Sequence, residues 1–349
     1  MQIQTLLELV SKQNASDLLL TVSNPPILRI NTDLIKTNQE ILNQTSAQEL
    51  IYQMLSTEQR SEFEREKELD LAYQHGQSRF RVNVHNERGN IACAIRRIPL
   101  SIPSLQELKM PSIVGELSKL PRGLILVTGP TGAGKSTTQA SMIDLINDTK
   151  PCYIISVEDP IEYIHTNKKS VVEQREVGID TKSFAHALRR VLRQNPDVIL
   201  VGEMRDLETI QTAITAAETG HLVISTLHTP DAAQAVDRII DVFPPHQQNQ
   251  IRLQLSLTLQ GVIAQQLLQK KDKAGVVPAL EILIANSAVR NIIRKSATQD
   301  LYSVIETSSK SGMISLDNSL KQLYKTGQIS MDEALDHARN PEQLSKEIL

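Results

Sequence analysis

The chain has 349 residues, of which 40% are hydrophobic and 22% charged, with a formal net charge of −3. That is an ordinary globular composition, long enough for about two domains. It leaves no global charge argument for nucleic acid, no run approaching about 18 apolar residues that would span a membrane, and, with 3% aromatics and no tryptophan, little means of base stacking.

The opening stretch, Met1–Asp17, lacks a basic segment and a cleavage-site pattern, so a secretory signal is not expected and a cytoplasmic location is. Cys93 and Cys152 are the only cysteines. Both sit in apolar runs and read as buried thiols; two cysteines cannot supply a four-cysteine zinc site. A small α+β domain is expected over residues 1–98. Within it, Phe80, Val82 and Val84 alternate with polar residues, as do Ile91, Cys93 and Ile95, which predicts two half-buried strands joined by a turn over 85–90. Pairing Val84 with Ile91 puts every apolar side chain on one face. Arg81 and Arg96 then lie on the other face as diagonal neighbours, suited either to an anion or to a plain solvated surface. Pro99, Pro103 and Pro111 mark a stiff linker over 99–114.

Beyond the linker, strands alternate with helices, which predicts a mainly parallel sheet. The first strand, Leu124–Val127, enters Gly129-Pro130-Thr131-Gly132-Ala133-Gly134-Lys135-Ser136, which fits the phosphate-loop pattern G-x-x-x-x-G-K-[ST] at every fixed position. Thr137 opens a helix with Met142, Ile143 and Ile146 on one face. Loop amides and the helix N-terminus suit phosphate, Lys135 suits the β- and γ-phosphates, and the Ser136 hydroxyl suits Mg²⁺. Further strands are expected at 153–157, 198–201 and 222–226, and helices at 183–193, 207–218 and 231–241. Glu158, Asp159 and Glu162 cluster after the second strand. One of them is placed to activate water as a general base, and spacing does not select which. Glu203 ends the strand Val198–Val201 and is placed to reach the metal through water, although Gly202 holds the usual Asp position. His221 and His228 flank the next strand; His228 lies at the end where a γ-phosphate is met, and His221 reads as structural. From about Ala288 the pattern is helical to the end.

These motifs, in this order, resemble the secretion-type ATPases of type IV pili and type II secretion. GPTGAGKSTT is similar to their phosphate loop, SVEDPIEYIH to their acidic box, NPDVILVGEMRDLET to their second carboxylate box and TGHLVISTLHT to their histidine box. The likeness runs over essentially the whole chain, from ASDLLL at 15–20 onward, and is strongest to the twitching-motility retraction branch. The resemblance implies an α/β chain with a PAS-like N-terminal domain, a RecA-like phosphate-loop ATPase core over 115–286 and C-terminal helices over 287–349, six copies forming a ring. It implies Glu162 as the catalytic base, Glu203 and His228 at the nucleotide, and Arg81 and Arg96 delivered to it from the N-terminal domain. ATP and Mg²⁺ follow as ligands. An inner-membrane pilus platform protein and a second retraction ATPase follow as partners, met at the cytoplasmic face of the membrane. Leu19 stands where ASDLHL has histidine, and Lys295 ends Ala288–Lys295 where the related AIRNLIRE ends in an acid. The alternatives are an assembly or type II secretion ATPase, whose zinc element the two cysteines disfavour, and a regulatory adaptor with vestigial activity.

Overall fold

The structure, a computed structural model, describes residues 1–30, 33–76, 78–98, 101–273 and 275–348. The chain divides into two compact units: Met1–Ser101 with Pro160–Ile164, and Ile102–Asp159 with His165–Leu349. Pro99 of the expected linker lies outside the described residues.

The first unit runs α1 (Ile3–Lys12), β1 (Asp17–Leu20), β2 (Ile27–Ile30), β3 (Asp33–Lys36), α2 (Gln44–Tyr52), α3 (Thr57–Glu66), β4 (Glu68–His75), β5 (Ser78–Glu87) and β6 (Asn90–Ile98). Among the described residues the strands form one antiparallel sheet in the order β3-β2-β1-β6-β5-β4. α1 buries Ile3, Leu6, Leu7 and Val10, a stripe at helical spacing. α2 and α3 each begin with a capping box, Asn43 with Ser46 and Ser56 with Gln59, which satisfies amides the helix leaves open. These helices pack on the sheet face carrying Phe80, Val82, Val84, Cys93 and Ile95.

The hairpin pairs two residues away from the expected register. Val84 faces Cys93, Val82 faces Ile95, and Arg81 lies directly opposite Arg96 rather than diagonal to it. The cause is the turn. Arg88 and Gly89 both take positive φ, 51° and 78°, making a two-residue connection that closes on Glu87 and Asn90. Such turns match the twist of paired strands, so the strands run on through residues assigned to the loop. A slip of two keeps every side chain on its face, so the apolar face and the arginine face stand as expected.

The second unit runs α4 (Ser112–Ser118), β7 (Gly123–Thr128), α5 (Lys135–Thr149), β8 (Tyr153–Glu158), β9 (Val171–Glu176), α6 (Phe184–Val191), β10 (Val198–Val201), α7 (Leu207–Glu218), β11 (Leu222–Leu227), α8 (Ala232–Asp241), α9 (Pro245–Thr258), β12 (Leu259–Gln269) and β13 (Val276–Ile284). Then follow α10 (Ser287–Arg294), α11 (Leu301–Thr307), α12 (Leu316–Lys325), α13 (Met331–Asp336) and α14 (Pro341–Ile348). The sheet order is β13-β12-β7-β11-β10-β8-β9, parallel apart from β13. β7, β10 and β11 are buried along their whole length, as expected of strands covered on both faces. No helix is long and apolar enough to cross a membrane, among the described residues.

The proline-bearing stretch is not free chain. Ile102–Met110 belongs to the second unit, where Ser141 donates to the Pro103 carbonyl at 2.6 Å, Lys109 to Gln328 at 3.0 Å, and Leu105 and Met110 pack on the core. α10, which carries the AIRNLIRE-like segment, is docked by Arg290. Its guanidinium donates to the Ser256 and Leu257 carbonyls at 2.6 and 2.9 Å and to Gln260 at 3.3 Å, closing the open end of α9. Arg290 is thus structural, whereas Arg294 and Lys295 are exposed. Arg290→Ala is expected to cost about 1–3 kcal/mol in chemical denaturation, because it strands carbonyls at a helix end; Arg294→Ala should be near neutral.

Candidate functional site

Four strand ends build the site. β7 runs straight into the phosphate loop, and α5 begins at Lys135 with Gly134 in the left-handed region, φ 82°. Gly132 shares that φ, and a Cβ on Gly129, φ 143°, would sit 2.2 Å from the Gln265 carbonyl oxygen. The glycines are therefore required by the loop path and by its closeness to β12. Lys135 is buried, its amine donating to the Gly129 and Pro130 carbonyls at 2.8 and 2.9 Å. Pro130, Thr131 and Gly132 form the exposed crest, Ala133 is buried under it, and the Ser136 and Thr137 side chains start the helix half-buried.

A residue not anticipated from the sequence ties this loop down. Gln265, on β12 and 2% exposed, donates to the Ala133 carbonyl at 2.5 Å and accepts from the Thr138 hydroxyl at 2.9 Å. One amide thus braces the loop and the first turn of α5 against the neighbouring strand. The available signal was the polar pair Gln265-Gln266 interrupting an apolar run. Gln265→Ala would leave both partners unmatched. It is expected to weaken nucleotide binding by about tenfold, within the 1–3 kcal/mol of two unmade bonds, read by titration with a fluorescent nucleotide.

At the end of β10, Glu203 is 20% exposed in its side chain, 2.8 Å from Arg205 Nε and 3.4 Å from His228 Nε2 at the end of β11. Gly202 permits this. A Cβ there would press on the Glu158 Cα and the Val157 carbonyl, both at 3.3 Å, so glycine lets the ends of β10 and β8 lie close. Glu158 accepts from Ser156 at 2.6 Å and from Gln174 at 3.2 Å. Among the described residues no hydrogen bond or ion pair engages Glu162. It lies in Pro160–Ile164, counted with the first unit, whereas Glu158 and Asp159 stay in the second. His221 is structural: its Nδ1–H donates to the Ala216 carbonyl at 2.9 Å. Arg189 pairs with Glu208 at 2.6 Å on an exposed surface.

The second unit therefore brings the phosphate loop, Glu203 and His228 to one sheet edge. In the first unit, Arg81 and Arg96 stand side by side on the face away from the core. Arg96 donates to Asp17 Oδ1 at 2.9 Å, and Arg29 lies 3.4 Å from the other oxygen. Asp17, inside the ASDLLL segment, is the partner that reading the motif did not reveal.

A cavity of about 260 Å³ adjoins the loop at Gly134, Thr137 and Thr138, walled by Met110, Leu267 and Pro278. The donor set suits magnesium. The Ser136 hydroxyl and the Glu203 carboxylate are hard oxygens, and among the described residues no group of three or more His, Cys, Asp or Glu forms a metal cage.

A phosphate loop leaving an inner strand of a parallel sheet, with acids and a histidine at neighbouring strand ends, defines a RecA-like phosphate-loop ATPase core behind an N-terminal domain. The chain belongs to the Type II/IV secretion system protein family, matched over residues 8–338. It is 47% identical to the "Type IV pilus retractation ATPase PilT" of Pseudomonas aeruginosa, over 98% of this chain and 99% of that one. It is 46% identical to a "Twitching motility protein" of Neisseria gonorrhoeae, over 92% and 86%, and 39% identical to the "Type IV pilus ATPase PilU" of Pseudomonas aeruginosa, over 99% and 90%. Among solved structures, the pilus retraction motor PilT with bound ADP superposes with a TM-score of 0.91 at 46% identity, covering 99% of each chain. The Legionella pneumophila ATPase DotB follows at 0.83 and 27%, covering 96% and 95%.

Proposed function

We propose that this chain is a hexameric, ATP-hydrolysing motor that powers type IV pilus retraction. The observation that carries it is the meeting of phosphate loop, Glu203 and His228 on one sheet edge, in a chain alike over nearly its full length to a pilus retraction ATPase. In this reading the amides of Gly129–Thr137 and the Lys135 amine bind the phosphates of ATP. The cavity beside Gly134, with its apolar walls, takes the adenine base. Ser136 and Glu203 would hold Mg²⁺, Glu203 by way of a water, and the ion when bound would supply charge neutralisation for the phosphates. His228 contacts the γ-phosphate. Glu162 takes the proton of the attacking water, whose oxygen bonds to the γ-phosphorus as ADP leaves. Arg81 and Arg96 add positive charge to the phosphates during transfer.

Residues 115–286 form the catalytic core in this reading, and 287–349 a helical region that passes its state onward. The motor works at the cytoplasmic face of the inner membrane against a platform protein. A second retraction ATPase is its companion in this reading. Purified chain should release phosphate from ATP and run at the mass of six 38.9 kDa chains. Tight ATP binding with no turnover would instead make it a nucleotide-binding adaptor.

A further inference from the structure

The loop carrying His228 runs into a buried ionic cluster that the roles above do not use. Asp231, three residues on, caps α8, accepting from the Gln234 amide at 2.8 Å and from its side chain at 2.9 Å. Glu281 of β13, 2% exposed, accepts from the Ala232 amide at 3.0 Å. Two carboxylates thus hold the first turn of one helix. Burial pushes the Glu281 carboxyl above its usual range; Arg339 opposes this and Asp231 adds to it.

Arg339, in the turn between α13 and α14, is the counter-charge. Its Nη2 lies 3.1 Å from Glu281 Oε2 and 3.4 Å from Asp231 Oδ2. Its guanidinium stacks 3.7 Å from the Tyr302 ring centroid, and the Tyr302 hydroxyl donates to both Asp231 oxygens at 3.3 Å. Its backbone is pinned as well: the amides of Arg339 and Asn340 donate to Asp317 at 2.8 and 3.1 Å. The family match ends at residue 338, one short of it.

We propose that Arg339 is a positioning residue: through Asp231 and Glu281, the C-terminal helices hold the β11–α8 loop and so set the His228 imidazole beside Glu203. Without the cation, two buried carboxylates repel across the α8 N-terminus. β11 is clamped between strands on both sides, so the displacement falls on residues 228–231. The catalytic consequence rests on the role proposed for His228; the geometric one does not.

The test uses the full chain carrying Arg339→Ala, Arg339→Lys, or Arg339→Met with Glu281→Gln, which removes both charges. The His228 imidazole resonance, assigned with His228→Asn in histidine-labelled protein, reads the loop without turnover. Arg339→Ala should move that resonance and cut kcat by about ten- to a hundredfold, the penalty of a remote misplacement, with little change in KM. Arg339→Lys should be intermediate, and the double variant should return both readings toward wild type. An unmoved resonance in Arg339→Ala, or a double variant no better than that single one, overturns the inference. Should Arg339→Ala fail to fold, the double variant decides: a native His228 resonance supports the inference and a displaced one sinks it. A wild type with no turnover sinks the function proposed above, while the resonance still decides here.

Discussion

Glu162→Gln is expected to leave ATP bound and lower kcat by about 10²–10⁴-fold, the range of a lost general base. The substitution is isosteric and removes only the capacity to take a proton. Of the three acids that spacing left open, Glu158 is already engaged: its Oε1 accepts from Ser156 and Gln174. Glu162 has no such engagement among the described residues. Glu158→Gln should therefore cost far less, through loosened packing at the end of β8. The check is single-turnover phosphate release with both variants at saturating ATP. A Glu162→Gln rate within about threefold of wild type, beside a collapsed Glu158→Gln rate, would reassign the base.

Arg81→Ala and Arg96→Ala carry the second large effect, a loss in kcat of up to about 10³–10⁵-fold, the worth of an arginine that stabilises charge in phosphoryl transfer. Their register supports it. Side chains directly opposite on paired strands lie about 4.5–5.5 Å apart at Cβ, and like charges there repel, so the pair is costly unless something anionic arrives. Asp17 offsets part of this by holding Arg96. Because Arg96 is 72% exposed in its side chain, losing that ion pair should change stability by only about 0–1 kcal/mol. The expected signature is thus a folded N-terminal unit with unchanged thermal unfolding and a collapsed rate. Unchanged rates in both variants would return the arginines to a solvated sheet face.

Much of the architecture was legible because it follows from period and punctuation. β10 at Val198–Val201 and α7 at Leu207–Glu218 fall where the apolar run and the alternation of strands with helices put them. The hairpin register was not legible to within two residues, since apolar alternation reports faces and only the Arg88-Gly89 turn decides register. α9, β12 and β13 were not separated in advance: α9 mixes polar residues with exposed Leu253 and Leu257, and so lacks a clean stripe. Local site residues were visible wherever a motif carries them. Gln265, Asp17 and Arg339 were not, because each acts through a partner far away in the chain, and single-sequence spacing contains no trace of that pairing.

In the proposed function, hydrolysis by this chain disassembles pili and does not build them. Deleting the gene in its host and counting surface pili by electron microscopy, with restoration by wild type and by Glu162→Gln, tests it most directly. Hyperpiliated, non-twitching cells, corrected by wild type and not by Glu162→Gln, are the predicted result. Bald cells would contradict it and make the chain an assembly motor.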